Sequence, residues 1–223
     1  MAYPTVSAPY GLKPINLIGG QVFAGQTREL PIEANYGTVI NNGDIVRLSS
    51  GYIVKETGTT TVSATGVVGV FLGCTYVNPS TGQLLFTNSY PGSVNVSGIL
   101  AYVSDDPDQL FKVAVTGGAT STTITPISGT ILGNNLAISQ PASNSTISGN
   151  SNIGAYDSGS NTAFTLPLRV VGLVSETTNS SGNYSEVIVK WNMPYITLTE
   201  GAPNVVAYNG GHSYLNPTGT ASV

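Results

Sequence analysis

The residues of this chain that could do chemistry are few, and the sequence holds one histidine. His212 lies in the glycine-rich stretch 209–213, close to the end of the 223 residues. Catalysis by a serine or cysteine nucleophile needs a base that a rigid scaffold holds beside the nucleophile. A glycine-rich tail is poorly suited to this task, so we do not expect His212 to be a catalytic base.

The densest acidic cluster is Asp105-Asp106-Pro107-Asp108. Two facing carboxylates can hydrolyse a glycosidic bond, and several together can bind Ca²⁺. Residues so close in sequence do not readily face each other across a substrate, and Pro107 favours a turn. We therefore predict a solvated turn here, with a subunit contact and calcium binding as alternatives.

The single cysteine excludes an internal disulfide and a thiolate metal cluster. Cys74 ends the apolar run 67–74, which predicts a buried and unreactive thiol. The glycine pairs at 19–20 and 117–118 lack the strand, the following helix and the lysine of a phosphate-binding loop. No catalytic residue, cofactor or metal is therefore expected.

Charge is scarce in this sequence. Charged residues make up 8% of the chain, against about 25% in an ordinary globular domain. The net charge is -4 and the cations are spread singly, so nucleic acid is not an expected partner. No apolar stretch is long enough to span a membrane. The start Met1-Ala2-Tyr3-Pro4 lacks the features of a secretory signal, and we expect the protein to be assembled in the cytoplasm.

The apolar pattern predicts an all-β fold, either an antiparallel β-barrel or a jelly-roll-like sandwich. Apolar residues at helical spacing do not persist, and short apolar segments alternate with turn residues. The hairpins Asp44–Glu56 and Leu168–Trp191 are the strongest local predictions. In the last of these strands, Val187, Val189 and Trp191 share one face and should meet the core. Strands are predicted at 28–33, 45–48, 52–56, 67–76, 84–88, 99–103, 111–115, 166–176 and 184–191.

We predict a β domain at residues 28–198. Three segments depart from the strand pattern: one precedes this domain, one follows it, and one lies within it. Residues 1–27 and 199–223 combine aromatic residues with prolines, which predicts an extended arm at each end. We expect these arms to lie across a neighbouring subunit, and truncation of 1–27 to leave the core folded; frayed ends of a monomer are the alternative. The expected subunit or capsid contacts are Tyr3, Pro4, Tyr10, Lys13, Pro14, Phe23, Tyr208, His212 and Tyr214.

Residues 116–162 are rich in Ser, Thr, Gly and Asn and carry no charge before Asp157. Such a stretch forms either a set of weak polar strands or a long polar excursion on the surface. The sequence leaves both possibilities open.

Several segments together resemble small virion structural proteins of marine tailed bacteriophages, most of all capsid cement (head decoration) proteins. They are Ala-Pro-Tyr-Gly-Leu-Lys-Pro at 8–14 with the stretch 16–25, Gly-Asp-Ile-Val-Arg-Leu at 43–48, Gly-Val-Phe-Leu-Gly-Cys-Thr-Tyr at 69–76, residues 101–108 and Ile-Val-Lys-Trp-Asn at 188–192. The resemblance implies a non-enzymatic protein on the outer surface of the phage head. It also implies a homotrimer that clamps neighbouring subunits of the major capsid protein.

Three other functions stay open at this stage. The first is a tail, neck or fibre component of a virion. The second is a glycan-binding β-sandwich, because the chain has twelve tyrosines and one tryptophan that could stack on sugar rings. The third is an enzyme that degrades polysaccharide, which needs a facing pair of carboxylates that the sequence does not nominate.

Overall fold

The computed structural model describes residues 6–60, 67–121, 123–125, 127–141, 148–157, 166–177 and 184–192. Within these ranges the chain forms β-strands and one short 3-10 helix, Gly129–Ile131, which confirms the all-β prediction. The strands in chain order are β1 Lys13–Leu17, β2 Arg28–Ile32, β3 Ile40–Asn41, β4 Ile45–Ser49, β5 Tyr52–Lys55, β6 Gly69–Val77, β7 Leu84–Thr87, β8 Ser89–Tyr90, β9 Ile99–Ser104, β10 Gln109–Thr116, β11 Asn135–Ser139, β12 Gly154–Tyr156, β13 Leu168–Leu173 and β14 Glu186–Trp191.

Five strands close into a barrel. They follow the order β10-β12-β11-β13-β14, and β10 also pairs with β14, which completes the ring. Neighbouring strands are antiparallel except for β10 and β12. The rings of Phe111 and Trp191 meet edge to face inside, with 5.2 Å between their centroids. The apolar interior is built mainly from Phe111, Val113, Val115, Leu136, Ile138, Ala155, Leu168, Val170, Val187, Val189 and Trp191.

The other large sheet has the order β2-β9-β6-β4-β5, and β7 pairs with the second half of β6. β3 and β8 form a separate two-stranded ladder. Strands β4 and β6 separate two hydrophobic cores, because their successive side chains point to opposite sides. Ile45 and Val70 join the barrel core, whereas Val46 and Phe71 join a second core with Ile53, Cys74 and Tyr90.

Both predicted hairpins are confirmed. β4 and β5 pair from Val46 with Lys55 to Ser49 with Tyr52. Their two-residue turn has positive φ at both Ser50 (51°) and Gly51 (85°), the geometry that matches the twist of a hairpin. β13 and β14 pair from Leu168 with Trp191 onward. Val187, Val189 and Trp191 all point into the barrel, as their spacing predicted.

A buried ion pair connects the second sheet to the barrel. The Lys55 Nζ lies 2.7 Å from the Asp44 Oδ2, and both side chains are buried. The Ser151 hydroxyl donates to the other Asp44 oxygen at 2.5 Å. Ser151 itself precedes β12 of the barrel, and its oxygen accepts the Ile153 N–H. One carboxylate therefore holds a β4–β5 hairpin and a barrel loop together.

The N-terminal segment differs from the prediction of an arm. Lys13–Leu17 is a strand that pairs antiparallel with β10, and the Leu12 side chain is fully buried in the barrel core. The Leu12 N–H donates to the Gly43 carbonyl, and the Tyr184 N–H donates to the Val6 carbonyl. Residues 6–17 therefore lie on their own domain. Pro14 fits because β1 is an edge strand, where a missing N–H is tolerated.

The polar segment 116–162 also contributes to the core. β11 and β12 are two of the five barrel strands, and every residue of Asn135–Ser139 is buried. These two strands of the segment place the side chains of Leu136, Ile138 and Ala155 in the barrel core. The predicted C-terminal tail 199–223 lies outside the described residues.

Candidate functional site

The acidic cluster forms the predicted turn between β9 and β10. The Asp106 Oδ1 accepts the Asp108 N–H at 2.8 Å, and the Gln109 N–H donates to the Asp106 carbonyl. The Asp105 Oδ2 lies 2.8 Å from the Nε of Arg28, which is more than half exposed. In the described ranges no group of three or more His, Cys, Asp or Glu side chains could hold a metal ion.

Cys74 is buried, as predicted. Its sulfur lies 3.3 Å from the Thr87 hydroxyl and 3.7 Å from the Ser89 carbonyl. Burial raises the pKa of the Cys74 thiol, and the hydrogen bond with Thr87 acts in the opposite direction. The nucleophilic thiolate is therefore disfavoured at this position.

Four of the seven cations of the chain pair with carboxylates of the same chain. Besides Arg28 with Asp105 and Lys55 with Asp44, Arg47 Nε lies 3.5 Å from Glu56 Oε2. Lys112 Nζ lies 3.1 Å from Glu186 Oε1. Much of the scarce charge is therefore used to hold the fold together.

Three of the residues predicted for a subunit interface make contacts inside the chain. The Tyr10 hydroxyl donates to Glu186, and the Lys112 ammonium lies over the Tyr10 ring at 5.8 Å from its centroid. Burial, followed by the effect of Glu186, raises the Tyr10 pKa well above its ordinary value. Lys13 donates to Asn42 Oδ1 at 3.2 Å, and burial lowers the Lys13 pKa. Pro14 pairs with Phe111 in the β1–β10 ladder.

A further role of Tyr10, Lys13 and Pro14 between subunits stays a prediction. Tyr3, Pro4, Tyr208, His212 and Tyr214 lie outside the described residues.

Phe23 borders an open cleft of about 370 Å³, the size of a small ligand site. The cleft separates the segment after β1 from the β9–β10 turn. A tight turn shapes this segment, with the Leu17 N–H donating to the Gln21 carbonyl, and the Ile18 N–H donates to Asp108 across the gap. The cleft is lined by Leu17, Gln21, Val22, Phe23, Ala24, Gln26, Arg28, Asp105, Asp106, Pro107 and Gln109.

The rim of the cleft is apolar and exposed. Val22, which lines the cleft, is 76% exposed, and Ile18, which lies in the adjacent turn, is 45% exposed. The Arg28–Asp105 ion pair also lines the cleft. This combination of apolar rim and paired charges can receive a peptide segment or a small polar molecule.

A second apolar surface, which we call the β7 face, covers the outside of the β7-β6-β9 part of the sheet. On β7, Leu84 and Phe86 are 72% and 69% exposed. Val77, on β6, pairs with Leu84. Phe86 packs against Tyr102 with 5.5 Å between ring centroids. Thr75 pairs with both Phe86 and Leu100, so these share the outer side. The β7 face consists of Val77, Leu84, Phe86, Leu100 and Tyr102.

The sequence indicated parts of the cleft, through Phe23 and the Asp105-Asp106-Pro107 turn, but not that these lie together, and it did not indicate the β7 face. The signal for the β7 face was present in the predicted strand 84–88, because Leu84 and Phe86 alternate with Leu85. An apolar residue on each side of a strand gives no indication of which side is left uncovered.

Comparisons of the chain with protein-family models, with curated proteins and with solved structures find no match. The described part of the chain contains no helix that could cross a membrane.

Proposed function

We propose that this protein is a structural component of a bacteriophage virion, a cement protein that binds the outer surface of the head. It clamps neighbouring subunits of the major capsid protein and works as a homotrimer without catalysing a reaction. The resemblance of the sequence to such proteins motivates this proposal. The observation that carries it is the exposed apolar side chain of Val22 on the rim of the cleft, next to the half-buried Phe23 and to the exposed Ile18 of the adjacent turn.

The cleft suits a protein contact for a physical reason. Apolar side chains exposed together on the surface of a folded domain typically mark an interaction site. Ile18 lies within a tight turn, and Val22 directly follows it; backbone hydrogen bonds hold this turn against the β9–β10 turn. A rigid apolar rim loses little conformational entropy when a partner covers it. In this proposal the partner is a surface segment of the major capsid protein.

Binding of this kind stabilises a shell by mass action. A protein that binds only the assembled capsid adds about 2.7 kcal/mol of stability at each site when its free concentration is 100 times the dissociation constant. Several contacts in one oligomer add through avidity, so each can be modest.

The test uses capsids that lack the protein and measures how much of it they take up. Val22→Asp places a charge on the rim without disturbing the fold, since Val22 is largely exposed. We expect at least tenfold weaker binding to capsids. Val171→Asp, an exposed position on β13, is the matched control and should bind as the original protein does. Equal binding by both variants would contradict the proposal.

The copy number separates a cement protein from a tail, neck or fibre component. Quantitative mass spectrometry of purified virions should give a number set by the positions of the capsid lattice. A far smaller number would favour the tail, neck or fibre component.

The same cleft favours one other function, glycan binding. Phe23 offers an aromatic face, and Gln21, Gln26 and the Arg28–Asp105 pair offer polar groups around it. A glycan array with the isolated protein tests this alternative. Saturable binding that Phe23→Ala abolishes would favour it over the capsid contact.

A further inference from the structure

The outer edge of β7 presents backbone groups in a regular pattern. In an antiparallel ladder, residues alternate between pointing their N–H and C=O at the neighbouring strand and pointing them away. The Asn78 N–H donates to the Gln83 carbonyl at 2.8 Å, which fixes the alternation between β6 and β7. Leu85 then points its backbone groups toward Tyr76 on β6. Leu84 and Phe86 point theirs toward the other side.

That other side is open in the part of the chain that the structure describes. β7 pairs there with β6 and with no other strand. Leu84 and Phe86 are largely exposed. The edge therefore offers the N–H and C=O of both residues, together with their two apolar side chains.

We propose that two copies of this chain associate through β7, edge to edge and antiparallel, about a two-fold axis at Leu85. Leu84 then lies opposite the partner subunit's Phe86, and Phe86 lies opposite the partner subunit's Leu84. Both are hydrogen-bonded pairs, so the four outward backbone groups on each copy are all satisfied. The sheets of the two copies become one continuous sheet.

The register follows from the side chains as well as from the backbone. Residues directly opposite each other in a ladder point to the same face. With the axis at Leu85, Leu84 and Phe86 of both copies lie on the outer face and extend the β7 face across the axis. An axis displaced by half a residue would instead place Leu85 opposite the partner's Phe86. Neighbouring residues of a strand point to opposite faces, so this pair would not share a face, and the ladder excludes this register.

The absence of charge near the β7 edge also favours a second copy of this chain as the binding partner. Residues 77–88 contain no charged side chain, so two copies with a net charge of -4 each can approach here without close repulsion. Edge strands are usually protected by lysine, proline or a bulge, and Leu84–Thr87 has no lysine or proline.

The contact is small, because a short strand pair with two apolar residues from each copy covers less than the roughly 800 Å² per partner of a standard interface. We therefore expect weak, concentration-dependent association. This inference concerns contacts between copies and does not depend on capsid binding. If the protein is a trimer, the two-fold contact joins copies from neighbouring trimers.

The first test is sedimentation of the full chain over a wide concentration range. We expect the mass of the smallest species to double as concentration rises to the millimolar range. Phe86→Lys should abolish the doubling, because it puts a like charge on each side of the axis. Val171→Lys, exposed on the barrel, should leave it unchanged. A mass that does not double, or doubles equally in both variants, would overturn the proposal.

The second test reads the register through disulfide formation. At the axis, Leu85 and the partner's Leu85 form a non-hydrogen-bonded pair with Cα atoms about 4.5 Å apart, within the range of a disulfide. Leu85→Cys should therefore give a covalent dimer on mild oxidation. Leu84→Cys is the matched control, since its Cα lies about 8 Å from its symmetry mate. The proposal fails if Leu85→Cys gives no covalent dimer, or no more than Leu84→Cys gives.

Discussion

Lys55 and Asp44 form an ion pair 2.7 Å long in the interior of the protein, where both side chains are withdrawn from water. Asp44 also accepts the Asn41 N–H at 2.8 Å and the Ser151 hydroxyl. A carboxylate with this many partners is well compensated for its burial. Its position between the β4–β5 hairpin and the loop before β12 makes it a contact between the two cores.

Replacing Lys55 by methionine should destabilise the fold strongly. The change removes the counter-ion and leaves the Asp44 carboxylate buried, which costs about 3–5 kcal/mol when one partner of a buried pair is lost. Urea unfolding followed by circular dichroism measures the change. Arg169→Met, at an exposed position on β13, is the control and should cost about 0.5 kcal/mol or less. A similarly small loss for Lys55→Met would contradict a stabilising role of this ion pair.

Leu12 should contribute far more to stability than its place near the chain start suggests. Its side chain is fully buried in the barrel core, so Leu12→Ala should cost about 2–5 kcal/mol through lost burial and the cavity it leaves. Ile18→Ala, six positions further on and exposed, should cost about 0.5 kcal/mol or less. If both variants unfold at the same urea concentration, residues 6–17 are dispensable, as the sequence alone suggested.

Tyr10 should make stability fall at alkaline pH. Burial and Glu186 raise the folded-state pKa of Tyr10 above the ordinary value near 10. Above about pH 10 the unfolded chain therefore loses this proton while the folded protein keeps it. The contribution of Tyr10 is complete below pH 10 and declines as the pH rises further.

Comparing the original protein with Tyr10→Phe isolates this effect. At pH 7 the variant lacks a hydrogen bond to a buried carboxylate, worth about 1.5–3 kcal/mol. The difference in unfolding free energy between the two proteins should shrink from pH 10 to pH 11. A difference that stays constant over this range would mean that Tyr10 ionises in the folded state as it does in the unfolded chain.

The sequence predicted best where a strand is half exposed and ends at a turn. β14 alternates buried Val187 and Val189 with more exposed Ile188 and Lys190, and its pairing with β13 followed from that pattern. The Ser50-Gly51 turn located the β4–β5 hairpin because few residues accept positive φ.

The sequence was less informative about strands that are buried on both faces and about strands whose pairing partner is distant in sequence. Asn135–Ser139 is buried throughout and its composition is mixed, so it shows no alternation. β1 contains Pro14 and is held by β10, a strand about a hundred residues away in sequence. Local patterns contain no information on such a partner. For the same reason the sequence predicted both a surface position for Phe23 and a turn at 105–108, but not that the two lie opposite each other.

The closure of the barrel has a consequence for biosynthesis. Phe111 on β10 pairs with Val189 on β14, so the ring cannot form until residues up to 191 have emerged from the ribosome. Pairing between segments so distant in sequence is slow, whereas the β4–β5 hairpin can form as soon as it is synthesised. The apolar interior side chains of β10 and β11 therefore stay unprotected until β14 has emerged. In that interval the exposed apolar surface makes the nascent chain most prone to aggregation.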